Sequence, residues 1–283
     1  MVEKFRDKYV YLFAIIVLGL FKLGQELSDY PIIWLSNILP KFTSESAELY
    51  FQQLIADLVV VIVMFVVLAI TKKMGLLTKK GKGFFKGLPV AMYPICFSLF
   101  CLAFQTYGAL SGNAPLNDVS TILMFLLCMF MVGLSEELCT RTIIAETLLE
   151  HYGTSKKGIY LAAIVSGILF GLLHLFNLTS QDTLGTIVQV FAAGAGGITY
   201  AAIYFRTGNI WITVFIHTLN DIGTGAFYGL FNNGSLTSAL ETDSGGSALY
   251  GLVLVIPEII VTLYLLRDAK IHEVKESWSE IKD

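Results

Sequence analysis

The sequence predicts an all-α protein, a polytopic helical bundle that crosses a membrane about eight times. Of its 283 residues, 55% are hydrophobic and 14% are charged, whereas soluble domains carry about 25% charged residues. Apolar runs close to the ~20 residues that a helix needs to cross a bilayer recur along the chain. We therefore treat residues 1–283 as a single integral membrane domain in contact with the lipid bilayer.

Eight apolar segments are predicted to be the membrane spans. They cover residues 9–24, 50–71, 88–109, 119–143, 159–178, 184–205, 209–230 and 247–266. The longest outer connection is 25–49, and residues 267–283 form a short charged tail. No stretch between the spans has the length of a separate soluble domain.

The distribution of basic residues predicts the orientation of the spans, because Lys and Arg concentrate on the cytoplasmic side of membrane proteins. With a cytoplasmic N-terminus, 16 of the 19 basic residues fall in cytoplasmic segments. These segments are 1–8, 72–86, 156–157, 206 and 267–282. The sequence thus predicts both termini and the tail to be cytoplasmic. A net charge of −3 and clustered basic residues make nucleic acid an unexpected partner.

Three charged residues lie near the end of the fourth span, at Glu136, Glu137 and Arg141. A charge at the bilayer centre costs about 2.5–3.5 kcal/mol on insertion scales, so such groups usually face a cavity and have a function. Glu137 and Arg141 are four residues apart with the acid first, the favourable order for an ion pair. Glu136 lies about 100° around the helix from Glu137, so it does not face Arg141 and can contact a different neighbour. All three could equally be structural charges that tie helices together.

Two of the four histidines also lie within apolar spans, next to other notable residues. Phe170 and His174 are four apart, which lets the ring pack beside the imidazole. His217 and Asp221 are also four apart, so the carboxylate can orient the imidazole. A lone histidine in an apolar helix is more often a hydrogen-bonded packing residue than a catalyst.

Two further acids lie within spans, Asp57 in the second and Glu258 after Pro257 in the eighth. A proline frees a backbone carbonyl, kinks the helix and often admits water. The sequence assigns no chemical role to either acid.

In chain order, the three sites read E-E-x-x-x-R, F-x-x-x-H and H-x-x-x-D. This series resembles the CAAX-protease and bacteriocin-processing (CPBP) family, also called the abortive-infection or type II CAAX prenyl endopeptidase family. The resemblance covers residues 88–232, the expected catalytic core, and includes Arg206-Thr-Gly-Asn-Ile-Trp211. It implies a glutamate-type intramembrane endopeptidase whose cavity is reached from the cytoplasmic half of the bilayer.

The resemblance also implies roles for individual residues. Glu136 would activate the attacking water with help from His174, and His217 with its i+4 partner would stabilise the oxyanion. Glu137, Arg141 and Phe170 would hold the geometry of the site. The family commonly has Asn where this chain has Asp221.

An ionised Asp cannot donate a hydrogen bond to an oxyanion. The replacement of the family's Asn by Asp221 therefore changes the role that we expect for this residue. We expect Asp221 to orient His217 while Asn220 donates. A protonated Asp221, or weakened chemistry, would also fit the sequence.

Two other readings stay open. Glu136, His174 and His217 could bind zinc as a His₂Glu metalloprotease site, but the chain has no H-E-x-x-H motif, so no cofactor is expected. The chain could instead be a transporter or a bacteriocin-immunity or binding protein without enzymatic activity. Its hydropathy shows no inverted repeat of the kind typical of transporters.

The expected substrate is a membrane-associated peptide or protein. A prenylated C-terminal peptide, a leader peptide and a membrane-protein segment all fit the sequence. The expected location is the bacterial plasma membrane, with an internal membrane of a eukaryotic cell as the alternative.

Overall fold

The computed structural model is all-helical and describes residues 2–39, 41–42, 44–179, 181–232 and 246–281. The α-helices, numbered here along the chain, are α1 Val2–Lys8, α2 Val10–Leu27, α3 Asp29–Ile38, α4 Glu45–Ile70, α5 Phe84–Gly87, α6 Met92–Ser111, α7 Val119–Glu137, α8 Glu146–Tyr152, α9 Lys156–Leu173, α10 Thr183–Thr207, α11 Ile210–Gly229, α12 Gly246–Leu265 and α13 Asp268–Ser277. A π-helix, Leu138–Ala145, joins α7 to α8, and 3₁₀ turns occupy Met74–Thr78, Leu88–Ala91 and His174–Thr179. The described residues add one isolated bridge, Leu116 to Phe231.

Six helical segments of the described chain are long and apolar enough to cross a membrane. They are Val10–Ile38, Glu45–Ile70, Phe84–Ser111, Val119–Tyr152, Lys156–Leu178 and Thr183–Thr207. Each overlaps one of the first six predicted spans, so the chain is an integral membrane protein. The first segment continues to Ile38, past its predicted end at residue 24 and into the predicted outer connection 25–49. The predicted end of the fourth span, at residue 143, is too early because the helix continues to Tyr152.

The last two predicted spans are also helices in the structure. The seventh is α11, whose hydropathy is reduced by His217, Asn220 and Asp221. The eighth is α12, of which Val255–Leu265 is a shorter apolar helix among the described residues. The six long spans are therefore the part of the eight-span prediction that the structure shows.

Helices α9 and α10 form the most extensive helix pair, and glycines allow their close approach. A Cβ atom at Gly171 would overlap the backbone oxygen of Val190, and one at Gly167 would overlap Ile198. The small-residue spacing of Gly167 and Gly171 predicts such an approach, and the structure confirms it. The pair matters for the site because α9 carries Phe170 and leads into His174.

One end of the bundle, called the basic end below, is held together by ion pairs between distant segments. Four of these pairs are Lys73–Glu146, Lys82–Glu273, Lys156–Asp268 and Arg206–Glu273. They join the connection after α4, the end of α10 and the tail helix α13. The segments predicted to be cytoplasmic therefore lie at a common end.

At the opposite end of the bundle, polar contacts join α4, α7 and α11. Ser44 Oγ lies 2.9 Å from Thr121 Oγ1, which links the starts of α4 and α7. Asn117 donates to the carbonyl oxygen of Phe231 over 3.1 Å, which adds the end of α11. These contacts hold together the end of the bundle that lies opposite the basic end.

Candidate active site

Glu136 and Glu137 are the last residues of α7, where the helix changes from α to π geometry. Helical segments of π type are rare and occur frequently at functional sites. Within the π-helix, Arg141 Nη1 lies 3.1 Å from Glu137 Oε1. The side chain of Glu137 is fully buried and that of Arg141 is 1% exposed, so this ion pair is shielded from solvent.

His217 on α11 is held by Glu137 as well. Its Nδ1 lies 2.8 Å from Glu137 Oε1, a distance typical of a charge-assisted hydrogen bond. A carboxylate can only accept at this contact, so Nδ1 carries the hydrogen. Glu137 is therefore the side chain that contacts Nδ1 of the imidazole, whereas Asp221, which we expected to orient the ring, lies on its Nε2 side.

The other imidazole nitrogen of His217 faces two further carboxyl groups. Nε2 lies 3.4 Å from Glu136 Oε2 and 3.7 Å from Asp221 Oδ2. The longer distance is beyond hydrogen-bond range, and Asp221 Oδ2 is buried without a hydrogen-bond partner in the structure. His217 thus bridges the buried Glu137 and two carboxyl groups that border a cavity.

Aromatic rings enclose this polar cluster. The guanidinium carbon of Arg141 lies 4.4 Å from the centre of the Phe170 ring and 5.3 Å from that of Tyr200. The Phe170 ring packs edge-on against both His174 and His217, with ring centres 5.1 and 5.8 Å apart. The packing of Phe170 on His174, predicted from their spacing, is confirmed. Tyr200, which the sequence reasoning missed, contacts His217 in the same way.

His174 lies where α9 ends and a 3₁₀ turn begins, not within a regular helix. Its Nδ1 is 3.1 Å from the carbonyl oxygen of Phe170. Because a carbonyl oxygen only accepts, Nδ1 is the donor and Nε2 of the neutral ring is an acceptor. His174 can therefore accept a hydrogen bond or a proton at Nε2.

Two cavities, of about 500 and 370 Å³, meet at this cluster. Both are lined by His174, His217 and Asp221. Glu136 lines the larger one, and Asn220 lines the smaller one. The structure thus brings all the predicted catalytic side chains to adjoining cavities, while Glu137 and Arg141 lie behind them.

Asp57, to which the sequence assigned no role, is attached to the active-site helix. Its Oδ1 accepts a hydrogen bond of 2.7 Å from Ser135, the residue before Glu136. Its Oδ2 accepts another of 2.7 Å from Gln53. The side chain therefore joins α4 to α7 beside Glu136. An acid in an apolar span was the signal, but its partner lies 78 residues away in the chain.

Glu258 borders the smaller cavity and accepts a hydrogen bond from Thr199 on α10. This contact connects α12 with α10. It explains how a second in-span acid is accommodated.

The zinc alternative finds no matching ligand geometry. In the part of the chain that the structure describes, no three His, Cys, Asp or Glu side chains form a group that could hold a metal ion. His217 Nδ1, one potential ligand atom, is already engaged by Glu137.

Comparison with known proteins gives one match. Residues 118–223 match the family model described as type II CAAX prenyl endopeptidase Rce1-like. The matched region is narrower than the 88–232 expected from the motifs, but it contains all three of them. No curated protein and no solved structure matches the chain. Over residues 118–223, the chain is thus similar to the Rce1-like type II CAAX prenyl endopeptidases, which are proteases.

Proposed function

We propose that the chain is an intramembrane endopeptidase in which Glu136 activates the attacking water. The observation that carries this proposal is the contrast between two adjacent acids. Glu137 is fully buried between Arg141 and His217, whereas the side chain of Glu136 is 16% exposed and lines the larger cavity. Glu136 is the acid that can exchange a proton with a bound water.

In the proposed reaction, Glu136 takes a proton from water as the water oxygen bonds to the scissile carbonyl carbon. The electron pair of the C=O double bond moves onto oxygen, which forms a tetrahedral oxyanion. Glu136 then gives the proton to the leaving nitrogen as the C–N bond breaks. His174, with Nε2 as an acceptor, would hold the water in position.

His217 is proposed to stabilise the oxyanion. Its Nδ1 hydrogen is already used by Glu137, so a protonated ring has its Nε2 hydrogen left for the cavity side. Glu136 and Asp221, at 3.4 and 3.7 Å from Nε2, favour the positive charge on the ring. A donor fixed in place in a site of low dielectric stabilises developing charge strongly. Asn220 on the smaller cavity is a second candidate donor.

The test is a cleavage screen of peptides with the purified protein and its Glu136→Gln variant. The amide keeps the shape of the side chain but removes the basic oxygen. General-base catalysis typically contributes 10²–10⁴-fold, so the variant should lose at least about 100-fold in rate. A matched Glu276→Gln variant changes an exposed glutamate on the tail helix α13, far from the cavity in the chain, and should leave the rate unchanged. A residual Glu136→Gln rate above about a tenth of wild type contradicts the proposal.

The proposal also includes the topology and the setting of the enzyme. Eight spans, with α11 and α12 as the last two, and both termini in the cytoplasm agree with the clustering of the basic residues. The substrate would be a membrane-associated peptide or protein, prenylated or leader-bearing, and the location the bacterial plasma membrane. The smaller cavity, next to the catalytic residues, offers room for part of such a substrate.

A further inference from the structure

Asp57 is a buried acid of α4 that the proposed reaction does not use. It lies within the second predicted span and is 1% exposed. Among the described residues its hydrogen-bond partners are the neutral side chains of Ser135 and Gln53, and no cation pairs with it. An ionisable group inside a membrane span is costly and usually marks a function. The two partners indicate what this function is.

The first partner, Ser135, is fully buried and directly precedes the proposed catalytic base. Its hydroxyl oxygen lies 2.7 Å from Asp57 Oδ1 and 3.0 Å from the carbonyl oxygen of Val132 in its own helix. A hydroxyl group has a single hydrogen to donate. The shorter contact, to a carboxylate, is the stronger of the two. Asp57 therefore fixes Ser135 to α4.

Glu136 consequently lies between two anchored neighbours at the end of α7. Ser135 is tied to α4 through Asp57, and Glu137 is held by its ion pair with Arg141 and its contact with the imidazole. Each neighbour is about 100° away around the helix. Directly after Glu137 the helix changes to π geometry, so regular α-helical hydrogen bonding does not continue past this point. The two anchors together determine the direction in which Glu136 points.

The second partner of Asp57 connects it to the wall of the larger cavity. Gln53, one turn earlier on α4, donates a hydrogen bond of 2.7 Å to Asp57 Oδ2. Gln53 and Glu136 both line this cavity. A single carboxylate thus holds a residue of the cavity wall and, through Ser135, the acid that lines the same cavity.

Resting on the proposed protease function, we propose that Asp57 is a positioning residue that, through Ser135, holds Glu136 toward the attacking water. A general base must lie within hydrogen-bond reach of the proton that it abstracts, about 2.6–3.2 Å between heavy atoms. A misplacement of about 1 Å can lower a rate by about 10²-fold. Asp57 itself touches neither the water nor the substrate, so it acts on kcat through the placement of Glu136.

The first test measures peptide cleavage by Asp57→Ala, by Ser135→Ala and by the double variant, with each rate expressed per folded protein. Each single variant should lower kcat at least about tenfold, and Ser135→Ala should leave KM within about threefold of wild type. The double variant should be no slower than Asp57→Ala, because both changes break the same contact. Ser98→Ala is the matched control and should keep the wild-type kcat, since this buried serine donates to the carbonyl oxygen of Pro94 in its own helix.

Asp57→Asn separates hydrogen bonding from charge. An asparagine at this position can accept from Ser135 and, once the amide of Gln53 turns over, donate to the Gln53 oxygen. The kcat of this variant should therefore stay within about threefold of wild type. An Asp57→Asn protein as slow as Asp57→Ala would show that the negative charge matters rather than the hydrogen bonds, which contradicts the proposal.

Amide hydrogen exchange measures the anchoring without any cleavage. In Asp57→Ala and Ser135→Ala, the amides of residues 134–141 should exchange at least about fivefold faster than in wild type, while those of α9 keep their rates. Unchanged exchange in this segment, a Ser135→Ala kcat within about twofold of wild type, or losses that multiply in the double variant would overturn the proposal. A wild-type protein that cleaves no peptide would remove the protease function, and the exchange rates alone would then decide whether Asp57 holds the end of α7.

Discussion

At the scale of single residues, Glu136 and Glu137 show how one position along a helix changes the chemistry of a side chain. About 100° of rotation separates them. Glu137 points into the protein, where the guanidinium of Arg141 and the imidazole of His217 both contact its Oε1. Glu136 points to the larger cavity. The first residue is suited to fix the site, and the second to react.

Glu137→Gln should therefore destabilise the protein as well as inactivate it. Removing one partner of a buried ion pair leaves an uncompensated charge and costs about 3–5 kcal/mol. Denaturant titration of the purified protein, followed by its helical signal, measures the loss. Glu136→Gln is the matched control, which should stay within about 1 kcal/mol of wild type because its carboxyl group borders a cavity. Equal stability of the two variants would contradict the division of roles.

Asp221→Asn should be tolerated, because the orienting hydrogen bond to His217 comes from Glu137. The amide also supplies the donor that the family commonly has at this position. We expect the peptide cleavage rate of Asp221→Asn to reach at least a tenth of the wild-type rate, so the barrier rises by less than about 1.4 kcal/mol. Asp221→Leu, which removes all polar atoms, is the comparison and should be slower. A larger loss for Asn would show that His217 needs the negative charge of Asp221.

The contacts that could be predicted at this scale are local. The ion pair of Glu137 with Arg141 and the ring contact of Phe170 with His174 follow from i, i+4 spacing. The contact of Glu137 with His217 spans 80 residues, and no periodicity in the sequence encodes such a pairing. The resemblance to a family brought those residues to one site, but it did not indicate which acid would hold which nitrogen.

At the scale of elements, hydropathy predicted the spans well where a helix faces lipid and poorly where protein surrounds it. The fourth span was predicted to end at residue 143, before the polar residues Glu146 and Thr147. Both are buried by other segments, and Lys73 pairs with Glu146 at 2.7 Å. The helix therefore continues to Tyr152. The π geometry from Leu138 to Ala145 leaves no signal in a hydropathy profile.

The close contact of α9 with α10 gives a prediction for that pair of helices. Gly171→Ala should destabilise the protein by about 1–3 kcal/mol, because the added methyl group overpacks the interface. It should also lower the cleavage rate, since α9 carries Phe170 and ends at His174. Gly19→Ala is the matched control, since a Cβ there meets nothing within 4 Å. The measurement is the thermal unfolding of both variants in the same detergent. If the Gly171→Ala protein is as stable as the Gly19→Ala protein, α9 and α10 are not packed as tightly as we infer.

At the scale of the whole molecule, the charge pattern correctly grouped the segments that form the basic end. Arg206, Lys82 and the tail helix were assigned to one side from the alternation of spans, and the structure joins them through Glu273. The position of the larger cavity could not be predicted in this way. Hydropathy shows which residues cross the membrane, but not between which helices the bundle leaves space.

Glu273 makes the stability of the basic end depend on pH. Burial alone would raise the pKa of this carboxyl group, but hydrogen bonds from Lys270, Lys82 and Arg206 outweigh it and lower the pKa to about 2. An unfolded glutamate has a pKa of about 4.3. The folded protein thus binds this proton less readily, so the contribution is present above about pH 4.3 and is lost as the pH falls toward 2.

Glu273→Gln should accordingly be less stable than wild type at pH 6, with a difference in Tm that shrinks as the pH falls to about 3. The amide cannot neutralise the three cations that surround this position at any pH, whereas the carboxylate loses that ability only on protonation. Thermal unfolding of both proteins across this pH range measures the effect. Asp268→Asn, which changes an exposed acid paired with Lys156, is the control and should follow the wild-type pH dependence. A gap between Glu273→Gln and wild type that stays constant from pH 6 to 3 would show that Glu273 does not supply the pH dependence.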